Sequence, residues 1–304
     1  MKIGSHLLAG FQPDPRGRDA LGLAAAVVRA TGGAVTVAAV RPPAMEGATG
    51  TRADAEWDAY LDGQARAVLD GAAEIFHEVG LPETTKLDYV VTANRGSGRG
   101  LARLVGKTRA DLIVIGSAPT GPRGAISVGS TADQLLHGSP VPVMAAPRGY
   151  AERAVESFDR ITVAYLRRPG CTAAVEFAAR AAAACGAPLR LLTVALGGGP
   201  KGKASGLAAE HLRRMVDSYG SDLAMAAREA AKRSPLADDE VQTEVVQGPD
   251  VAAALGTTDW SPGELLVCSS SDAGPLHRVF VGDMSLKILR AVPCPALVLP
   301  RATR

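Results

Sequence analysis

Much of what would announce a function outright is missing from this chain. No dense Lys/Arg block stands out: 33 basic and 31 acidic residues are mixed along 304 positions to a formal charge of +2, so nucleic acid is not an indicated partner. Gly, Pro or a charge interrupts every apolar stretch before the roughly 18 residues of a membrane span. The opening MKIGSHLLAGF has one Lys and too short an apolar run for a signal peptide. The expectation is a soluble, cytoplasmic protein with no membrane attachment. There is no CxxC pair. Cys171, Cys185, Cys268 and Cys294 lie in apolar surroundings in the second half, as reduced core cysteines do, and not as zinc ligands or a disulfide framework. His6, His77, His137, His211 and His277 are scattered without ligand-like spacing, so no metal site is expected.

What the chain does have is an internal repeat. HLLAGF (6–11) reads as a buried strand, RDALGLAAAVVRATGG (18–33) as a helix ended by glycine, and AVTVAAV (34–40) as a second strand. A long helix follows over 54–80, with Trp57, Leu61, Val68, Ile75 and Val79 spaced as one apolar stripe. Then come a strand at 86–93, a short helix at 100–109, the strand in DLIVIGS, the helix STADQLLHG and the strand VPVMAA. Strands alternating with helices imply a parallel sheet covered on both faces. RITVAY (160–165) matches HLLAGF at an offset of 154, which also carries Gly32 onto Gly186 and Val40 onto Val194. Near the end an offset of 153 places Gly129 on Gly282, Pro140 on Pro293, Pro142 on Pro295 and Pro147 on Pro300. The chain is a tandem duplication, with domains expected at 1–148 and 160–304 and a linker at 149–159.

One stretch, GSAPTGPRGAISVGST (116–131), sits where a buried strand gives way to a helix. Small residues there let backbone N–H groups approach an anion, and a helix N-terminus adds partial positive charge. The same residues also make ordinary turns, with Ser127 or Ser130 as a helix cap. Three familiar signatures fail. GAISVGST (124–131) has Ser130 where a P-loop needs lysine, and AISVG has Ala125 where a nucleophile elbow needs glycine, with no His/Asp pair to support Ser127. GSGRG (96–100) is too short for a dinucleotide fingerprint and follows the third strand. Arg95 and Arg99 lie in the neighbouring loop, and Lys201 and Lys203 in GGGPKGKASG read as part of a surface loop. Trp57 and Trp260 read as packing residues.

Two copies of an α/β unit ordered βαβ, long helix, β, helix, β, small-residue loop, helix, β-Pro resemble the universal stress protein family in its tandem form, over nearly the whole chain. The resemblance implies two tandem five-stranded parallel-sheet sandwiches with helices on both faces, of the adenine-nucleotide α-hydrolase-like kind. They would pair as an internal pseudo-dimer through VPVMAAP and PALVLP. It also brings a nucleotide motif, G-x2-G-x9-G-S/T. On the first repeat the motif gives Gly116, Pro119 at the second glycine, Gly129, Ser130 and Thr131. Pro119 has no N–H to offer a phosphate, and the nearby Gly121 and Gly124 stand ready to supply amides by a different turn. Gln12 occupies the place of the family's aspartate, and Val40 on the second strand borders the adenosine side. In the second repeat Leu166, Ser269, Asp272 and Asp283 replace the motif residues, which reads as a lost site. The resemblance thus implies a stress-response protein whose first domain binds ATP or a related adenine nucleotide, with Mg²⁺, as a conformational or partner switch. Hydrolysis would be slow at most. An unidentified protein partner and a homodimer beyond the internal pairing are further implications. The alternative is a ligand-free scaffold acting through protein–protein contacts.

Overall fold

A computed structural model describes residues 4–44, 52–153, 155–166, 171–197, 206–269 and 283–300. The chain forms two compact units that divide between Glu156 and Ser157. In the first unit the chain order is β1 (His6–Gly10), α1 (Pro15–Thr31), β2 (Ala34–Arg41), α2 (Arg52–Glu78), β3 (Leu87–Ala93), α3 (Ser97–Thr108), β4 (Leu112–Gly116), α4 (Ser130–Leu136) and β5 (Val143–Ala146). The strands lie in the order β3-β2-β1-β4-β5, every neighbour parallel. The chain builds outward from β1 to β3 and then returns to the other side of β1. That reversal opens a crevice beyond the carboxyl ends of β1 and β4.

Local chemistry sets where α1 starts and stops. Asp14 is its N-cap, accepting from the amides of Arg16 (2.9 Å) and Gly17 (3.3 Å), and Pro15 opens the helix with a φ already suited to it. The helix therefore begins three residues before the expected Arg18. Gly32, left-handed at φ 68, ends it and donates to the Val28 carbonyl. Between the caps α1 is buried from Ala20 to Val28, against strands whose Leu7, Leu8, Ile113 and Val114 are fully buried. Each such side chain contributes about 1.5–3 kcal/mol relative to an exposed one.

The stripe expected on α2 is corrected by the structure. Its buried residues are Ala65, Leu69, Ala72 and Phe76, whereas Trp57 is 51% exposed and stacks on Tyr60. Leu61, Val68, Ile75 and Val79 are half-buried. Two alanines on the contact line let the helix sit close to the sheet, and the larger apolar residues fall on its shoulders. The first turns of α2 are held instead by Arg41, nearly buried, which pairs with Asp58 (2.8 Å) and Asp62.

The second unit runs β6 (Arg160–Ala164), α5 (Cys171–Cys185), β7 (Leu189–Leu196), α6 (Gly206–Arg233), β8 (Val241–Gly248), α7 (Val251–Leu255), β9 (Glu264–Ser269), α8 (Asp283–Ala291) and β10 (Ala296–Leu299). Its strands lie β10-β9-β6-β7-β8, again all parallel. The two units differ at the amino ends of their strands. In the first, Asp111 before β4 accepts the amides of Gly4 (3.0 Å), Ser5 (2.9 Å) and His6 (3.3 Å). At the repeat offset stands Glu264, fully buried, which takes Arg160 and Arg190, each at 2.6 Å, the Thr162 hydroxyl and the Ser261 amide. Arg190 also lies 4.9 Å over the Trp260 ring, so that tryptophan does pack. No helix among the described residues is long and apolar enough to cross a membrane.

Candidate functional site

The crevice at the β1/β4 reversal is a cleft of about 630 Å³ including its open mouth. It is walled by the ends of β1, β2 and β4 and by the first residues of α1, α3 and α4. Gln12, Val40, Gly116, Gly129, Ser130 and Thr131, which sequence picks out at positions far apart in the chain, all line it. The walls come this close because two positions lack a Cβ. One built on Gly116 would fall 2.1 Å from the Arg16 carbonyl, and one on Gly17 would fall 1.9 Å from the Gln12 carbonyl. α3 and α4 both begin without a side-chain cap, at Gly96 and Gly129. Ser130 is thus the first residue of α4 and not its cap, and Ser127 lies outside the helix.

Arg16 is the one charged residue among the described residues lining the cleft, and sequence reasoning missed it. With the strand expected to end at Phe11 and the helix to start at Arg18, Arg16 fell outside every expected element. The available signal was the run Asp14-Pro15-Arg16, a cap followed by a helix start directly after a strand. Its guanidinium donates to the Asp14 carboxylate (2.9 and 2.5 Å) and to Gln12 Oε1 (2.6 Å). Partial burial alone would raise the Asp14 carboxyl, but the hydrogen bond and charge of Arg16 and the Gly17 and Arg16 amides prevail, and its pKa lies below the ordinary 3.8. Arg95 and Arg99 do not line the cleft.

The loop between β4 and α4 closes on itself. Ala118 N–H donates to the Ser127 carbonyl (2.9 Å) and Ser127 N–H to Ser117 Oγ (2.8 Å), so the intervening residues turn away from the cleft. Pro119 is exposed and does not line it, which removes that residue as an obstacle inside the site. Gly121 and Gly124 do not stand in for the second glycine either. Neither lines the cleft, and the Gly124 N–H is donated to the Arg148 carbonyl at 2.9 Å.

At the equivalent described positions the second unit carries side chains. At the repeat offsets Gly17 becomes Cys171, Gly116 becomes Ser269 and Gln12 becomes Leu166. The Cys171 thiol donates to the Leu166 carbonyl at 2.5 Å and lies 3.6 Å from Ser269 Oγ, both residues being buried. Where the first unit has two missing Cβ atoms, the second has two side chains in contact. Next to them burial pushes the Cys268 thiol up to about 12, with nearby Cys171 adding to the shift. Asp283 opens α8 and is exposed. Asp272, Gly282, Lys201 and Lys203 lie outside the described residues.

Comparison with known proteins agrees with this architecture. The model of the universal stress protein family matches the chain twice, over residues 5–147 and 157–300. Universal stress proteins of Mycobacterium bovis and Mycobacterium tuberculosis are each 32% identical over 295 residues, covering 97% of this chain and 99% of theirs. The crystal structure of a universal stress protein from Archaeoglobus fulgidus superposes with a TM-score of 0.65 at 18% identity, covering 98% of this chain and 99% of that one. This last likeness is one of fold.

Proposed function

The chain belongs to the universal stress protein family in its tandem form, and on that premise we propose that its first unit binds ATP or a related adenine nucleotide. The observation that carries the proposal is the meeting of Gly116, Gly129, Ser130 and Thr131 with Arg16 in the switch-point cleft. Backbone amides, two hydroxyls and one guanidinium suit phosphate oxygens. Gln12 and Val40 would border the adenosine side. No carboxylate is among the described residues lining the cleft, so Mg²⁺ would enter on the phosphates, with the Ser130 and Thr131 hydroxyls as candidate protein oxygens. Among the described residues the lining offers no histidine or carboxylate as a general base, which favours a binding switch of a cytoplasmic stress-response protein over a fast hydrolase.

The second reading, a scaffold that acts through protein contacts without a ligand, is favoured by one observation. Gly17 and Gly116 are required by close packing of α1 on the sheet whether or not a phosphate arrives. Calorimetric titration of the nucleotide-stripped full chain with ATP and Mg²⁺ separates the two. The expected result is one saturable site, weakened about tenfold or more by Ser130→Asp, since a carboxylate there repels phosphate yet suits the start of a helix. Absence of heat up to millimolar ATP would leave the scaffold reading standing.

A further inference from the structure

Directly after β5 and Pro147, one residue ties the cleft's loop to the chain that leads to the second repeat. Arg148 exchanges main-chain hydrogen bonds with the loop, its carbonyl accepting from Gly124 (2.9 Å) and its amide donating to Ala125 (3.1 Å). Its guanidinium Nη1 donates to the carbonyls of Pro119 (3.1 Å) and Gly121 (2.7 Å). The far end of the loop is anchored by Ile126, 2% exposed, whereas Pro119, Thr120, Pro122 and Arg123 before it are exposed. Polar bonds therefore decide the position of that exposed part, and Arg148 makes four of them.

The next residues turn to the other wall of the cleft. Asp19, 3% exposed and one turn into α1, accepts the amides of Gly149 (2.8 Å) and Ala151 (3.0 Å). The turn Tyr150–Arg153 packs so closely on α1 that a Cβ at Gly22 would come 3.1 Å from Ala151. Arg123 of the loop pairs with Glu152 of that turn, and Arg29 of α1 holds the carbonyls of Val155 (2.7 Å) and Glu156 (3.0 Å). The connector is thus bound on one side to the loop that ends in Gly129–Thr131, and on the other to the helix that begins with Arg16 and Gly17.

We propose that Arg148 is the positioning residue of the cleft's loop and that residues 148–153 report the state of the cleft to the chain between the repeats. The ligand part of this rests on the nucleotide reading above, but the coupling itself does not. Whatever orders the loop from the cleft side orders the connector, and by reciprocity whatever loosens the connector loosens the loop.

Amide hydrogen exchange on the full chain, read by NMR, tests both directions. ATP with Mg²⁺ is expected to slow exchange at Gly149 and Ala151 by about fivefold, the worth of one hydrogen bond, in the parent protein. In Arg148→Ala, which keeps the two main-chain bonds and loses the two from the guanidinium, the slowing should shrink to about twofold or less while the site is still occupied, and Arg148→Lys, which can reach one carbonyl, should recover part of it. Binding of ATP without any change at Gly149 and Ala151 overturns the inference and leaves the nucleotide reading intact. Failure of ATP to bind sinks the nucleotide reading, and the ligand-free arm then decides the coupling. Asp19→Asn, which weakens the connector from the α1 side and touches no loop residue, should speed exchange across residues 118–129 by about fivefold. Unchanged exchange there overturns the inference in either case.

Discussion

Single atoms decide the shape of the cleft. Gly116 lies where a Cβ would fall 2.1 Å from the Arg16 carbonyl, a backbone atom that can yield only if α1 moves. Gly116→Ala is therefore expected to cost about 1–3 kcal/mol, the usual penalty of overpacking, seen as a lower urea midpoint. Asp14 works at the other side of the same contact. Replacing it by Ala should cost about 1 kcal/mol through loss of the N-cap. Because its pKa lies below 3.8 in the folded protein, its contribution is complete above that value and is lost as pH falls through the lower folded-state value. The stability difference between the parent and Asp14→Ala should accordingly shrink in acid, and a difference that stayed constant down to the lowest accessible pH would contradict this. These residues were unevenly legible. The glycines stand out in sequence because so few other residues follow a buried strand, whereas Arg16 was hidden by a cap that shifted the helix start by one turn.

At the scale of elements, α2 shows where periodicity misleads. Its sequence offers two apolar stripes about one position apart, and the larger side chains favour the one through Trp57. The helix buries the other, Ala65, Leu69, Ala72 and Phe76, because small residues allow the closer approach to β2 and β3. Phe76→Ala should then cost about 3–5 kcal/mol, while Trp57→Ala should cost about 1 kcal/mol or less, the worth of its stacking on Tyr60. Comparable losses from both variants in thermal unfolding would restore the Trp57 stripe. The strands were legible for the opposite reason. LLA, LIVIG and VMAA are continuous apolar runs bounded by Gly, Pro or charge, and a strand buried on both faces admits little else.

At the scale of the molecule, duplication has let two copies of one plan diverge. Glu264 and Asp111 occupy equivalent places, yet Glu264 is fully buried between two arginines and Asp111 binds three amides near the surface. Glu264→Gln should cost about 3–5 kcal/mol, since it takes the carboxylate partner from Arg160 and leaves the buried Arg190 with Glu244 alone. Asp111→Asn should cost less, about 1.5–3 kcal/mol at most, the range for hydrogen bonds to a charged group. Urea unfolding of the two variants side by side checks the ranking. A matching asymmetry lies at the carboxyl ends of the strands, where Cys171 and Ser269 lie close together at the positions that Gly17 and Gly116 hold in the first unit.

The sequence by itself determined the tandem plan and the parallel α/β class, because buried strands and tight strand-to-helix turns restrict composition so strongly that both leave a mark in one dimension; the six residues that meet in the cleft came from the family resemblance. Only the tertiary structure decided that Arg16 lines the cleft, that Pro119 lies outside it, that Cys171 and Ser269 lie close together in the second repeat, and that Arg148 and Asp19 bind the connector to both walls. Those outcomes depend on where a backbone carbonyl or an amide points after the chain has turned, and no residue type records that direction.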